Sequence, residues 1–276
     1  MSPTCRLYMR SLATRLSLIA LLSYCIGANA LAADHLYRAQ TIVTGQAEAN
    51  RTIGFAACLQ DVLIKVTGAL SLAGDPRLEP YRARAGDFVS HYDYHDQMSG
   101  TPTRDEQGTR DRPYDLIVDF DETKINDALA TLGLKPWLAR RPVLGVVVLM
   151  VQGTRKYLVT SDEKQSDLQR EALLAAADKR GMTIVLPSAA VASTLAKTDE
   201  FRVDTWPATA ATPSADVTLV GHLVWSDQDL GWATDWQLNV QGQPRWQFRG
   251  VTFDEAFRRA IGGAAQILSG IGGPAN

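Results

Sequence analysis

Apolar residues recur along the chain in two rhythms, alternation and a period of about 3.6 residues, and the two take turns. Residues 36–44 alternate as a strand. From about residue 47 to residue 67, Phe55, Leu59, Val62, Leu63 and Val66 recur at helical spacing, and Gly68 stands where a left-handed C-terminal cap belongs. After a turn-rich stretch with Pro76 and Pro80, residues 88–94 alternate again, with Phe88, Tyr92 and Tyr94 on the inner face. Residues 99–113 are polar and mixed in charge, which reads as a solvated connection. Residues 114–120, YDLIVDF, form a strand. Residues 122–132 form a helix with Ile125, Leu129 and Leu132 on one face, closed by Gly133. The order is β-α-β-β-α over residues 34–138.

Arg140, Arg141 and Pro142 make a short junction. Residues 143–151, VLGVVVLMV, run apolar without a break, as a strand covered on both faces does. A short strand is expected near residues 157–160. A helix follows over residues 166–180. Its expected inner stripe is Leu168, Ala172, Ala175 and Ala176, with Ser166 and Gln169 at capping-box spacing and Gly181 as the stop. Then come a strand at 182–186, a helix from Pro187 to about Lys197 and a loop at 205–214. Strands at 217–225, 232–240 and 245–250 read as a meander turning at 227–231 and 241–244. The last helix runs from Phe253 to about Ser269, with Phe257, Ile261, Ala264 and Leu268 inward. This second unit, β-β-α-β-α-β-β-β-α over residues 143–270, leaves a tail at 271–276. Helices packed on sheets in both units place the chain in the α+β (mixed α/β) class.

The first thirty residues break the pattern. Arg6, Arg10 and Arg15 precede the apolar run LSLIALLSYCI at 16–26, and Ala28 and Ala30 form an A-x-A signal. That is the order of a secretory signal peptide cut after Ala30, and it predicts a periplasmic protein. The run is shorter than the roughly 20 residues of a membrane span, which speaks against an uncleaved anchor, and no later stretch reads as a span in the mature chain. Tyr24 is too bulky to precede a lipidated Cys25. Cleavage would change the charge. The full chain of 276 residues carries 28 basic and 30 acidic side chains, a net −2. Losing three Arg and no acid leaves 25 against 30, or −5. Neither value suits a general nucleic-acid binder, which needs a positive excess. Cleavage would also leave Cys58 as the one cysteine, beside the apolar stripe of its helix, where it reads as a small core hydrophobe.

Candidate chemistry is sparse. The chain has no G-x-S-x-G, H-E-x-x-H, Walker loop, G-x-G-x-x-G or C-x-x-C, so no cofactor is expected. His91, Asp93 and His95 share a strand face. Alternate residues lie about 7 Å apart, so His91 and Asp93 are within reach of one ion while His95, about 13 Å from His91, is not. Plain alternation explains the same pattern. Asp119, Asp121 and Glu122 cluster at a strand-to-helix turn, where carboxylates hold a cation, act as acid and base, or start a helix. Trp206, Trp225, Trp232, Trp236 and Trp246 crowd the last strands, with Trp232 and Trp236 on one face. Exposed, those two rings would stack on sugars or apolar peptides; buried, they pack a core.

Three segments carry a resemblance: LQDVLIKVTG at 59–68, LIVDFDETKINDALATLGLKPWLARRPVLGVVVL at 116–149, and Gly231-Trp232 with Trp236. Together they resemble an exported bacterial family filed as domain of unknown function two thousand sixty-six, over about residues 37–268. The block around Trp137, Arg141 and Pro142 is the most specific part. The resemblance implies an envelope location and two coupled α+β units, and brings no activity or catalytic residue. Three readings follow: a non-catalytic factor that binds an envelope protein or aids envelope assembly; a peptidoglycan or glycan module using Trp232 and Trp236; and a metal-dependent hydrolase using His91 and Asp93, or Asp119, Asp121 and Glu122.

Overall fold

The structure is a computed structural model and describes residues 36–100, 104–105, 108–109, 112–195 and 211–273. The expected signal peptide and its cut after Ala30 lie outside the described residues, as do most of the 205–214 loop and the end of the tail. The fold is α+β. No helix among the described residues is long and apolar enough to cross a membrane.

The first unit opens with β1 (Arg38–Thr44) and α1 (Glu48–Thr67). Short helical turns follow, among them α2 (Glu79–Arg82), and then β2 (Val89–Asp96). Two-residue strands β3 (Arg104–Asp105) and β4 (Gly108–Thr109) pair within the polar connection. β5 (Pro113–Phe120) and α3 (Glu122–Thr131) close the unit. The sheet is antiparallel in the order β1-β5-β2. One face carries Ala39, Val43, Leu116 and Val118 and packs on Leu59, Val62, Leu63 and Val66 of α1. Gly54 lets that helix settle close, because a Cβ there would stand 2.5 Å from Leu116 Cδ2. Gly68 ends α1 at φ 80°, its N–H closing on the Ile64 carbonyl.

The second unit consists of β6 (Leu144–Gln152), β7 (Arg155–Leu158), α4 (Asp167–Lys179), β8 (Ile184–Val185), α5 (Ala189–Leu195), β9 (Val217–Ser226), β10 (Gly231–Leu238), β11 (Arg245–Val251) and α6 (Phe253–Leu268). Its sheet runs β11-β10-β9-β6-β7, with β8 beside β6. β6 pairs parallel with β8 and β9 and antiparallel with β7. Val146, Val148 and Met150 face the core under α4 and α6, while Val147 and Leu149, beside Val220 of β9, pack with Ala192 and Ala211 on the other side. Two-sided cover is the reason for the unbroken apolar run, and each such side chain fully buried contributes about 2 kcal/mol.

The α4 stripe differs from the sequence expectation. Leu173, Ala176 and Ala177 are buried, whereas Leu168 is 66% exposed. The inward face is rotated by about one position because α4 packs against α6 as well as on the sheet. The Ser166 side chain makes no cap bond; its hydroxyl bonds around Thr160 instead.

The two units meet along α1 and the 134–143 junction. The Trp137 N–H donates to the Val66 carbonyl at 2.8 Å, and Lys179 pairs with Asp61 at 2.9 Å. Leu70 packs against Gly262 of α6, where a Cβ would come within 2.9 Å.

Candidate functional site

The expected metal-ligating residues lie on the face of the first sheet opposite α1. Register sets His91 against Asp119 and His95 against Asp115. His95 Nδ1 is 3.4 Å from Asp115, and Asp93 accepts the N–H of Tyr94 at 2.8 Å. Among the described residues no group of three or more His, Cys, Asp or Glu side chains is placed to hold a metal ion. The acidic cluster is divided between two other tasks. Asp119 takes Arg38 through both oxygens, at 2.5 and 3.0 Å. Asp121 caps α3 by accepting the Lys124 N–H at 3.0 Å, and Glu122 occupies the first turn, where negative charge favours the helix dipole. Cys58 is fully buried, and burial with Asp61 nearby pushes its thiol up to about 12, so it carries no thiolate at neutral pH.

The tryptophans separate into two groups. Trp236 is 0% exposed, lies edge-on to Phe257 and fills the space left by the missing side chain of Gly221. Trp246 is equally buried. Neither offers a ring face to a ligand. Trp232 belongs to the same core, 7% exposed, and lies where that core meets a cleft. Paired across the strands with Trp225, with ring centroids 5.6 Å apart in a T-shape, it lines a cleft of about 570 Å³, in which the half-buried Trp225 is the more exposed of the two rings. Trp225 is itself oriented by its Nε1–H, which donates to Asp227 at 2.9 Å.

The cleft opens where β6 and β9 end. These strands are parallel, and the crevice beyond the carboxyl ends of parallel strands is the usual ligand position in open α/β sheets. Tyr157 and Phe253 add aromatic walls, and Leu168 and Leu230 stand at the rim. Leu230 is 82% exposed and has φ 48°. A left-handed leucine costs about 1 kcal/mol, and its exposure forgoes a further ~2 kcal/mol of burial. The fold tolerates both at one position in the β9–β10 turn. Polar groups line the other side: Gln152, Gln165, Gln169, Arg155 and Lys164. Among the described residues no acid lines the cleft.

A second cleft of about 440 Å³ lies between the units, lined by Arg38, Asp61, Lys65, Asp178 and Lys179. Four of these five charges are bound to another side chain or to the backbone. Arg38 pairs with Asp119, Lys179 pairs with Asp61, and Lys65 Nζ donates to the Arg38 carbonyl at 2.8 Å. Burial pushes the Lys65 amine below its ordinary pKa. The aromatic cleft, whose polar groups are not spent in this way, is therefore the candidate site.

Residues 30–138 match the family model described as Domain of unknown function (DUF8605). This match spans the first unit and corrects the resemblance read from the sequence blocks, because it is a different family of unknown function. The blocks around Trp137 and Arg141 now have a structural reason: they build the junction between the units. No curated protein and no solved structure matches the chain.

Of the sequence-derived candidates, Trp232 and Trp236 are both buried in the core of the second unit, and Trp232 also lines the cleft. Sequence reading did not single out Leu168, Leu230, Tyr157 or Arg155 as site residues. One signal was available: Leu230 is an aliphatic residue inside the polar turn SDQDLG at 226–231.

Proposed function

We propose that this is an exported, non-catalytic binding protein of the cell envelope that takes an apolar segment of a partner in the Trp225–Trp232 cleft. The observation that carries the reading is Leu230, an exposed leucine held at positive φ on the rim of an aromatic-floored cleft. Residues held in this backbone region cluster at ligand clamps and binding sites. Among the described residues the cleft lining contains no Ser, Cys, His, Asp or Glu, its titratable groups are Tyr157, Arg155 and Lys164, and the hydroxyl of Thr252 is engaged in capping α6. Such a lining suits binding better than acid–base or nucleophilic chemistry. Export is supported by the order of Arg6, Arg10 and Arg15, the apolar run and Ala28-x-Ala30.

The test compares capture from envelope extracts by the wild-type protein and by the Leu168→Ser/Leu230→Ser variant. A specific component retained by the first and lost by the second, at unchanged melting temperature, supports the reading. Equal retention, or none, overturns it. N-terminal sequencing of the exported form tests the address: it should begin at Leu31, and an intact Met1 in the membrane fraction would refute export with cleavage.

A further inference from the structure

The chemistry of the cleft narrows the partner, on the premise that the cleft is the binding site. Three kinds of group converge there. Trp225 and Phe253, both half-buried, offer apolar surface, with the buried Trp232 packed behind Trp225. Gln152, Gln165 and Gln169 carry amides, each both donor and acceptor, with no hydrogen bond to the rest of the protein among the described residues. Arg155 and Lys164 are in no ion pair among the described residues, and Arg155 is steadied by stacking 5.1 Å from the Tyr157 ring centroid. The cleft is thus locally cationic on a chain whose net charge is −2.

We infer that the cleft takes an extended peptide segment in which apolar and acidic side chains alternate. An extended peptide sends successive side chains to opposite sides. Apolar ones then reach Trp225, Phe253 and the rim leucines, and acidic ones reach Arg155 and Lys164. The glutamine amides match the donors and acceptors of the peptide backbone. A carboxylated glycan would satisfy the amides and cations but leaves the aliphatic rim of Leu168 and Leu230 without a matching surface, so the peptide is favoured.

A library of random peptides, displayed and selected on the intact exported protein, tests this directly. Retained peptides should be enriched in Asp or Glu alternating with Leu, Ile, Phe or Trp. Selected peptides should lose about tenfold in affinity when their acids are changed to Lys, a difference that shrinks at high salt. The Arg155→Gln/Lys164→Gln variant should keep the apolar preference and lose the acidic one. Retained peptides with apolar residues but no acidic bias would overturn the charge chemistry while leaving the cleft reading intact. Retention that survives Leu168→Ser/Leu230→Ser unchanged, or no retained peptide beside sedimentation with purified sacculi, would overturn both.

Discussion

Arg141 donates to the Lys65 carbonyl at 2.6 Å, joining the second unit to the last turn of α1. Its other terminal nitrogen donates to the carbonyl of Arg180, the C-cap of α4, also at 2.6 Å. One guanidinium therefore satisfies carbonyls at two helix C-termini, which lack intrahelical partners and carry partial negative charge. The Trp137 ring covers it at 4.4 Å. Burial lowers the Arg141 pKa to about 10, yet the group stays protonated at neutral pH.

Arg141→Ala should therefore destabilise the protein by about 2 kcal/mol, because two part-buried carbonyls lose charge-assisted partners and the Trp137 face loses its cation. Arg141→Lys should recover little, since an ammonium lacks the planar fork that reaches both carbonyls. Urea unfolding measures this. Midpoints within error of wild type for both variants would show that the junction does not depend on the guanidinium.

Leu230 predicts an opposed pair of effects. Leu230→Gly removes the left-handed strain and should raise stability by up to about 1 kcal/mol. The same change should weaken retention of the partner several-fold. A variant that loses stability would mean that the leucine serves the fold.

His222 sets a pH dependence. It sits on β9 with Asp235 opposite on β10. Burial pushes its pKa below 6.5; Asp235 pulls it back up and Lys156 pushes it further down. The folded protein thus binds this proton less readily than the unfolded chain. The contribution is complete above pH 6.5 and is lost as pH falls through the folded value. His222→Gln should flatten the fall in urea midpoint between about pH 7.5 and 5. An unchanged slope would assign that fall to other groups.

Much of the fold is legible in the residues. The β6 run, the α1 stripe with Gly68 and the meander turns announce themselves because each is a local pattern with a local cause. The phase of α4 was not legible, since alanines on several faces leave the stripe ambiguous until α6 is in place. The role of Arg141 was hidden for a different reason. Its partners are backbone carbonyls, 76 and 39 residues away, and every residue type presents a carbonyl. The cleft was half visible. Trp232 stood out by type, but the full enclosure of Trp236 depends on Gly221 and Phe257, which only the packed sheet brings together.

The most direct test of the binding cleft places a photo-cross-linking amino acid at position 230 in living cells. The control site is position 42 on the first unit, where Ile42 is 63% exposed. Irradiation should trap a discrete partner adduct from position 230 and none from position 42. Adducts from position 42 alone, or none from position 230, would contradict the assignment of the Trp225–Trp232 cleft as the binding site.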